Sequence, residues 1–170
     1  SVDGYDPYKN KVNYTDFSIM DKWIISKLNV FIRDCNSSLE QFRSDIMMRK
    51  FDLFLDDLSN WYIRRSRRRF WKSEDDLDKQ TAYQVLYECL TTVIKLISPV
   101  LPFVTEEIWK QFKIYFDQKD ESLMLCSFPE INSFETDKSY HAVEWLKRVV
   151  SGIRNICLLY TSPSPRDRVQ

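Results

Sequence analysis

The sequence predicts an all-α fold, an antiparallel bundle of four to five helices joined by short loops. Apolar residues recur at spacings of three and four along several long stretches, which is the period of one face of an amphipathic helix. The chain has 170 residues, of which 44% are hydrophobic, so it is long enough to bury one core.

Two long helices are predicted in the first half of the chain. Residues 1–18 are polar and rich in turn-forming residues, and we interpret them as a connecting segment before a helical domain at 19–157. The first helix is predicted over residues 20–40 and the second from Ser44 to Trp71. The first is expected to bury Ile24, Leu28, Phe31, Ile32, Cys35 and Leu39, and the second Met47, Phe51, Phe54, Leu55, Leu58 and Tyr62.

Two further periodic stretches predict helices at 78–97 and 138–156, and a short extended segment is predicted between them at 121–128. Residues 158–170 have no helical period and contain two Ser-Pro steps, so we interpret them as a disordered or artefactual tail; a phosphorylatable tail is the alternative. The third helix is expected to bury Leu86, Cys89, Leu90, Val93, Ile94 and Ile97, and the last one Trp145, Leu146, Val149, Val150, Ile153 and Ile156.

A proline-containing junction separates the third helix from the next. Pro99 and Pro102 are expected to end the third helix, because proline lacks the backbone donor and restricts the residue before it. Thr105 is a candidate N-cap of the following helix, and Glu106 and Glu107 would complement its positive end. These glutamates are therefore predicted to be helix-dipole partners and not a catalytic carboxylate pair.

The most informative stretch is the run from Asn60 to Trp71, in which two aromatic pairs flank five arginines. The net charge of the chain is zero, with 25 basic and 25 acidic residues, so the run is a local basic patch. Arginine forks bind phosphates bidentately, and aromatic rings stack on unpaired bases, which favours structured RNA over the groove of DNA. The arginines are Arg64, Arg65, Arg67, Arg68 and Arg69, and the aromatic pairs are Trp61 with Tyr62 and Phe70 with Trp71.

Helical geometry ranks these residues as candidates. At 100° per residue, Arg65 and Arg69 continue the apolar stripe of the second helix, which cannot stay buried without partners. The end of this helix is therefore expected to leave the bundle and face an anion; the alternative is a set of arginines paired with Asp and Glu of neighbouring helices. The first RNA-binding candidates are Arg64, Arg68, Trp61 and Trp71, followed by Arg65, Arg67, Arg69 and Lys72. Trp61 lies close to the buried stripe, so it is a candidate core residue as well.

Other features argue against catalytic and metal sites. Two glycines, Gly4 and Gly152, leave no Gly-rich nucleotide-binding loop. The four cysteines include no Cys-x-x-Cys pair, and the single histidine, His141, has no cysteine nearby. We expect no catalytic residue, no metal ligand and reduced cysteines. Without a membrane-length apolar run or a signal-peptide layout, the chain is expected to be cytoplasmic.

Four stretches together resemble the class I isoleucyl-tRNA synthetases. The run from Asn60 to Trp71 resembles their arginine-rich helix, and Asp21 to Leu28 is similar to the opening of their anticodon-binding domain. Ile97 to Trp109 resembles a junction that valyl and leucyl relatives share. Glu121 to Pro129 resembles a strand-like segment of the family, although Met124 stands where the family usually has histidine.

The resemblance implies that the segment holds the anticodon arm of isoleucine tRNA for a parent ligase that uses ATP and Mg. The family's two nucleotide-binding signatures are absent, so the segment is expected to bind no cofactor and to be inactive alone. Its expected partners are isoleucine tRNA and the catalytic domain of the same chain, with no DNA and no membrane. The alternatives are a valyl or leucyl anticodon domain, or a helical module that binds an acidic protein partner.

Overall fold

Six α-helices account for most of the residues that the computed structural model describes, which are 5–7, 13–72, 76–115, 120–131 and 138–161. No strand occurs in these ranges, so the all-α prediction is confirmed. The helices are α1 (Ile19–Glu40), α2 (Ser44–Asp56), α3 (Arg64–Lys72), α4 (Asp76–Ile97), α5 (Pro102–Tyr115) and α6 (Lys138–Thr161).

Helix α1 is the centre of the bundle and packs against α2, α4 and α6. A capping box fixes its start: the Asp21 amide donates to the Ser18 hydroxyl, and the Ser18 amide donates to the Asp21 carboxylate. This pairing satisfies two amides that the helix itself cannot bond. The fully buried apolar side chains of α1 include Trp23, Ile24, Ile25, Leu28, Ile32 and Cys35.

The predicted second helix is a single helical stretch from Ser44 to Lys72, interrupted by a wider π turn at Asp57–Ile63. A π turn adds one residue to the helical repeat and so rotates every following side chain relative to a regular helix. The neighbours Trp61 and Tyr62 are both buried as a result, and Ser66 and Phe70 continue the buried face.

The junction between α4 and α5 differs from its prediction. Thr105 is not an N-cap: it is fully buried inside α5, and its hydroxyl donates to the carbonyls of Leu101 at 2.9 Å and Pro102 at 3.1 Å. Helix α5 instead begins at Pro102, where a missing amide proton costs nothing because the first amides of a helix have no internal partner. The Glu106 carboxylate accepts hydrogen bonds from the hydroxyl of Ser122 and the amide of Leu123.

These two bonds attach the segment predicted to be extended. Ser122 and Cys126 have extended backbones, but a 3-10 turn at Leu123–Leu125 lies between them. Leu123 is buried with Ile94 and Trp109 in a small second core beneath α5. The segment is therefore a short turn that closes one end of the bundle.

Helix α6 presents only part of the predicted face to the bundle: Val149 and Val150 are half-buried, and Val150 packs against the main core. Trp145 is 61% exposed, and Leu146, Ile153 and Ile156 are exposed too, whereas Val143 is buried. The prediction followed the most apolar stripe, but charged residues on the other face are paired with α1 and the π turn and orient the helix. The helix also continues to Thr161, past the start of the predicted tail, while residues 162–170 and the glycine at position 4 lie outside the described residues.

Within the described ranges, no helix combines the length and the apolar character that crossing a membrane requires.

Candidate nucleic-acid interface

Arg69 is held inside the bundle by carboxylates. Its two terminal nitrogens donate to the two oxygens of Asp21, each at 2.8 Å, and its Nε donates to Asp78 at 2.8 Å. The Tyr62 hydroxyl donates to the same Asp21 carboxylate at 2.6 Å. With 16% of its side chain exposed and its donors occupied, Arg69 ties α3 to α1 and α4.

This network shifts the ionisation of its members. Burial opposes the charge on Asp21, but hydrogen bonds from Arg69, Tyr62 and Ser18 hold the pKa of Asp21 below its ordinary value. Burial similarly opposes the charge on Arg69, yet its carboxylate partners raise the pKa of the guanidinium. For Tyr62, burial and the adjacent Asp21 raise the pKa well above the ordinary value. The alternative of arginines paired with neighbouring carboxylates thus describes Arg69.

The outer face of α3 has the opposite character. Three arginines and one tryptophan recur there at positions i, i+3, i+4 and i+7, which line up on one side of a helix. We name this set the α3 stripe; it consists of Arg64, Arg67, Arg68 and Trp71. All four are exposed, Trp71 by 82%, and none of the three arginines has an ion pair with a carboxylate of the described residues.

The π turn explains why the stripe and the buried face separate in this way. Regular helical geometry placed Arg65 on the buried face with Arg69, but the extra residue of the π turn puts Ser66 there and leaves Arg65 exposed. The expectation that Arg65 continues the buried stripe is therefore wrong. Lys72 ends α3, and its side chain lies outside the described residues.

Trp61 is packed and not open to solvent. Its side chain is 8% exposed, and the guanidinium carbon of Arg65 lies 4.7 Å from its ring centroid. From α6, the ammonium of Lys147 lies 5.5 Å and the guanidinium carbon of Arg154 lies 5.9 Å from the same ring. So small an exposed area leaves no room for a base to stack, which favours the core interpretation of Trp61. Lys147 and Arg154 are not among the predicted residues, although their spacing of seven places them on one face of α6.

A half-buried group of charges fixes α6 next to the π turn. Lys27 lies 3.1 Å from Asp57 and 2.9 Å from Glu144, and Lys147 pairs with Asp57. The Trp23 indole donates to Glu144 at 3.0 Å. Burial opposes the charge on Glu144, but Lys27 and Trp23 lower its pKa, while Glu144 and Asp57 raise the pKa of Lys27 against the effect of burial. This ionic junction brings the basic face of α6 to the start of α3.

The described residues contain no group of three or more His, Cys, Asp or Glu side chains arranged to hold a metal ion. Cys35 and Cys89 are buried, and burial, with a smaller contribution from Asp34, raises the pKa of the Cys35 thiol to about 12. The described cysteines form no disulfide with one another.

Residues 21–158, which include the α3 stripe and the ionic junction, match the family model of the anticodon-binding domain of tRNA ligase. The chain belongs to this family. It is 42% identical over 130 residues to an isoleucine–tRNA ligase of Dehalococcoides mccartyi (strain CBDB1), covering 76% of the chain and 13% of that protein. It is 39% identical over 137 residues to an isoleucine–tRNA ligase of Chlamydia pneumoniae, covering 79% of the chain and 12% of that protein.

A third relative, an isoleucine–tRNA ligase of Clostridium novyi (strain NT), is 42% identical over 125 residues, covering 71% of the chain and 12% of that protein. The matched part of the chain thus corresponds to about one eighth of the length of these relatives. The segment resembles one module of a much longer enzyme.

Proposed function

We propose that this anticodon-binding domain holds the anticodon arm of isoleucine tRNA as one part of an isoleucine–tRNA ligase. The observation that carries the proposal is the α3 stripe, which places three exposed arginines and an exposed tryptophan on one side of a helix. This helix belongs to a domain of the anticodon-binding family of tRNA ligases. The identity of relatives named as isoleucine–tRNA ligases supports isoleucine as the amino acid of the parent enzyme.

The chemistry of the stripe suits single-stranded RNA. Each guanidinium presents five donors in a plane and can bind two oxygens of one phosphate. An indole as exposed as that of Trp71 can stack on a base that the anticodon loop leaves unpaired. Because Arg69 fixes α3 to α1, these side chains project from a rigid base, which limits the entropy lost on binding.

Amino-acid activation belongs, in this proposal, to the rest of the parent chain. The sequence lacks the two nucleotide-binding signatures of the family, and Gly152 lies within α6, not in a phosphate-binding loop. We therefore propose that the segment is inactive alone. Isoleucine-dependent exchange of pyrophosphate into ATP should stay at background with purified protein, and exchange that follows the protein through purification would contradict this.

The binding proposal is tested with Arg64→Ala/Arg68→Ala, compared with Arg33→Ala/Arg148→Ala, which removes two exposed arginines elsewhere. Filter binding of an isoleucine tRNA transcript is measured over a range of salt concentrations. Each lost phosphate contact should flatten the slope of log affinity against log salt by roughly 0.7 to 0.9. We expect the flattening in the first variant alone.

A companion variant separates stacking from charge. Trp71→Ala should weaken binding by about 1–3 kcal/mol with little change in the salt slope, because a stacked ring releases no counterions. Tighter binding of a valine or leucine tRNA transcript than of the isoleucine transcript would argue for one of the related synthetases. If Arg64→Ala/Arg68→Ala binds tRNA as the unmodified protein does, the α3 stripe does not bind RNA, and an acidic protein partner becomes the better explanation.

A further inference from the structure

Two helices that are far apart in the sequence place cations around one indole. Arg65 of α3 and Arg154 of α6 lie with their guanidinium carbons 4.7 and 5.9 Å from the centroid of the Trp61 ring. The two guanidinium groups are therefore no farther apart than the sum of these distances.

A third cation near the Trp61 ring, Lys147, differs from the two arginines because its charge is paired with a carboxylate. The ammonium of Lys147 also faces Trp61, but it is paired with Asp57 and its side chain is 17% exposed. Arg65 and Arg154 are exposed, and neither has an ion pair with a carboxylate in the described part of the chain. Among the described residues, the indole of Trp61 is the group that both charges face.

Contact with an aromatic ring leaves much of the hydrogen-bonding capacity of a guanidinium in place. A ring offers no lone pair in the plane of the five donors, so a stacked guanidinium can still bind an anion through its edge. The ring also restricts where each guanidinium lies, which reduces the entropy lost when an anion binds. A phosphodiester of an RNA backbone carries one negative charge on two non-bridging oxygens, so the edge of a guanidinium can bind it through two parallel hydrogen bonds.

The position of Arg65 and Arg154 relative to the α3 stripe indicates which phosphates of the RNA these two arginines would bind. Arg65 lies about 60° around the helix from Arg68, on the side of α3 that faces α6. Arg65 directly follows Arg64 of the stripe, so RNA bound at the start of α3 would lie close to Trp61 and the arginines around it. The sugar–phosphate backbone of the same RNA would meet Arg65 first and Arg154 next.

We propose that Arg65 and Arg154, oriented by Trp61, form a second phosphate-binding site at the junction of α3 and α6, for the backbone of the RNA held by the α3 stripe. The site rests on the proposed function, and it extends the RNA-binding surface to a helix that begins more than sixty residues after the stripe ends. Trp61 is here a positioning residue that orients the two arginines without touching RNA.

The test uses the full chain and an isoleucine tRNA transcript as the probe. Arg154→Ala is compared with Arg148→Ala, which removes the same charge from the same helix about 120° away. Arg154→Ala should weaken binding roughly three- to tenfold and flatten the salt slope by about 0.7 to 0.9, and Arg148→Ala should do neither. Arg154→Lys keeps the charge but lacks the planar fork, so it should retain most of the salt slope and recover part of the affinity.

Comparison of the variants distinguishes failure of the second phosphate site from failure of RNA binding by the α3 stripe. If Arg64→Ala/Arg68→Ala weakens binding but Arg154→Ala behaves like Arg148→Ala, the second site is refuted and the α3 stripe stands. If the unmodified chain binds no tRNA, or all variants bind alike, both proposals are refuted. Thermal melts accompany each variant; if Arg154→Ala melts early, Arg154→Gln supplies the same comparison with most of the side-chain stem retained.

Discussion

Asp21 and Arg69 face each other with two parallel hydrogen bonds of 2.8 Å, one from each terminal nitrogen of the guanidinium to one oxygen of the carboxylate. The same carboxylate caps the start of α1 by accepting the amide of Ser18. One buried side chain therefore both begins the central helix and fixes the last turn of α3. The orientation of the α3 stripe depends on this pair, because the stripe lies on the opposite side of the same short helix.

Removing the cation of this pair should destabilise the protein strongly. Arg69→Met leaves the fully buried Asp21 carboxylate with Tyr62 and Ser18 as partners, and an uncompensated buried charge costs about 3–5 kcal/mol. Arg67→Met is the matched control, since Arg67 is exposed, and its effect should stay within about 0.5 kcal/mol. Urea denaturation followed by circular dichroism measures both, and equal midpoints for the two variants would contradict the structural role of Arg69.

The lowered pKa of Asp21 predicts how stability depends on acid. Its folded-state pKa lies below the ordinary value, so its contribution is fully present above the unfolded pKa of about 3.9 and is lost as the pH falls through the folded value. Asp21→Asn should be less stable at pH 7 and should lose less stability between about pH 5 and pH 3. Asp52→Asn, at an exposed position of α2, controls for the general effect of removing a carboxylate. Parallel stability curves for Asp21→Asn and the unmodified protein would show that Asp21 does not titrate in this window.

The sequence predicted the positions of the helices well because their apolar periods are long. It predicted less well which face of a helix is buried wherever another interaction competes with apolar burial. The π turn at Asp57–Ile63 has no signature in the apolar pattern, so the rotation that exposes Arg65 could not be anticipated. The partners of Arg69 could not be predicted either, since the residues that pair with it lie 48 and 9 positions away in the sequence. The basic stripe itself was recognisable because it is a local feature of twelve consecutive residues.

Helix α6 illustrates the same limit. Its most apolar side includes Trp145 and Ile153, yet the side that packs carries Glu144 and Lys147. A hydrophobic period predicts which face is buried only if apolar burial is the strongest interaction available to the helix. Here Val143 is buried in the core, and the ion pairs to α1 and the π turn lie on the same side of the helix; no sequence pattern links these distant charges.

Burial predicts the order in which the cysteines react. Cys157 is exposed and Cys126 is half-buried, with its pKa raised to about 11 by burial and by Asp120, while Cys35 and Cys89 are buried. Thiolates are the reactive species, so an aromatic disulfide reagent should modify Cys157 first, Cys126 slowly, and the other two after unfolding. Mass spectrometry of digests at successive times identifies the sites. Cys157→Ser should remove the fast phase, and rapid labelling of Cys35 in the native state would contradict the burial.

The ionic junction predicts that α6 can be loosened without unfolding the rest of the bundle. Lys147→Met removes one of the two cations at the buried Asp57, and Lys27 stays at 3.1 Å as the other. The remaining cation should preserve the core, so the loss of stability should be about 1.5–3 kcal/mol, the typical contribution of a hydrogen bond to a charged group. Hydrogen exchange should quicken in α6 and stay unchanged in α2, because local opening follows local contacts.

Arg148→Met provides the matched control, because it removes an exposed cation from the neighbouring position of α6 and should leave exchange unaltered. If α6 is held by Lys147, the variant should also weaken binding of an isoleucine tRNA transcript about as much as Arg154→Ala does, because Arg154 then loses its fixed place beside Trp61. Faster exchange in α6 with full RNA affinity would mean that Arg154 contributes nothing to binding. Uniformly faster exchange in all helices would mean instead that the junction stabilises the whole bundle and not α6 in particular.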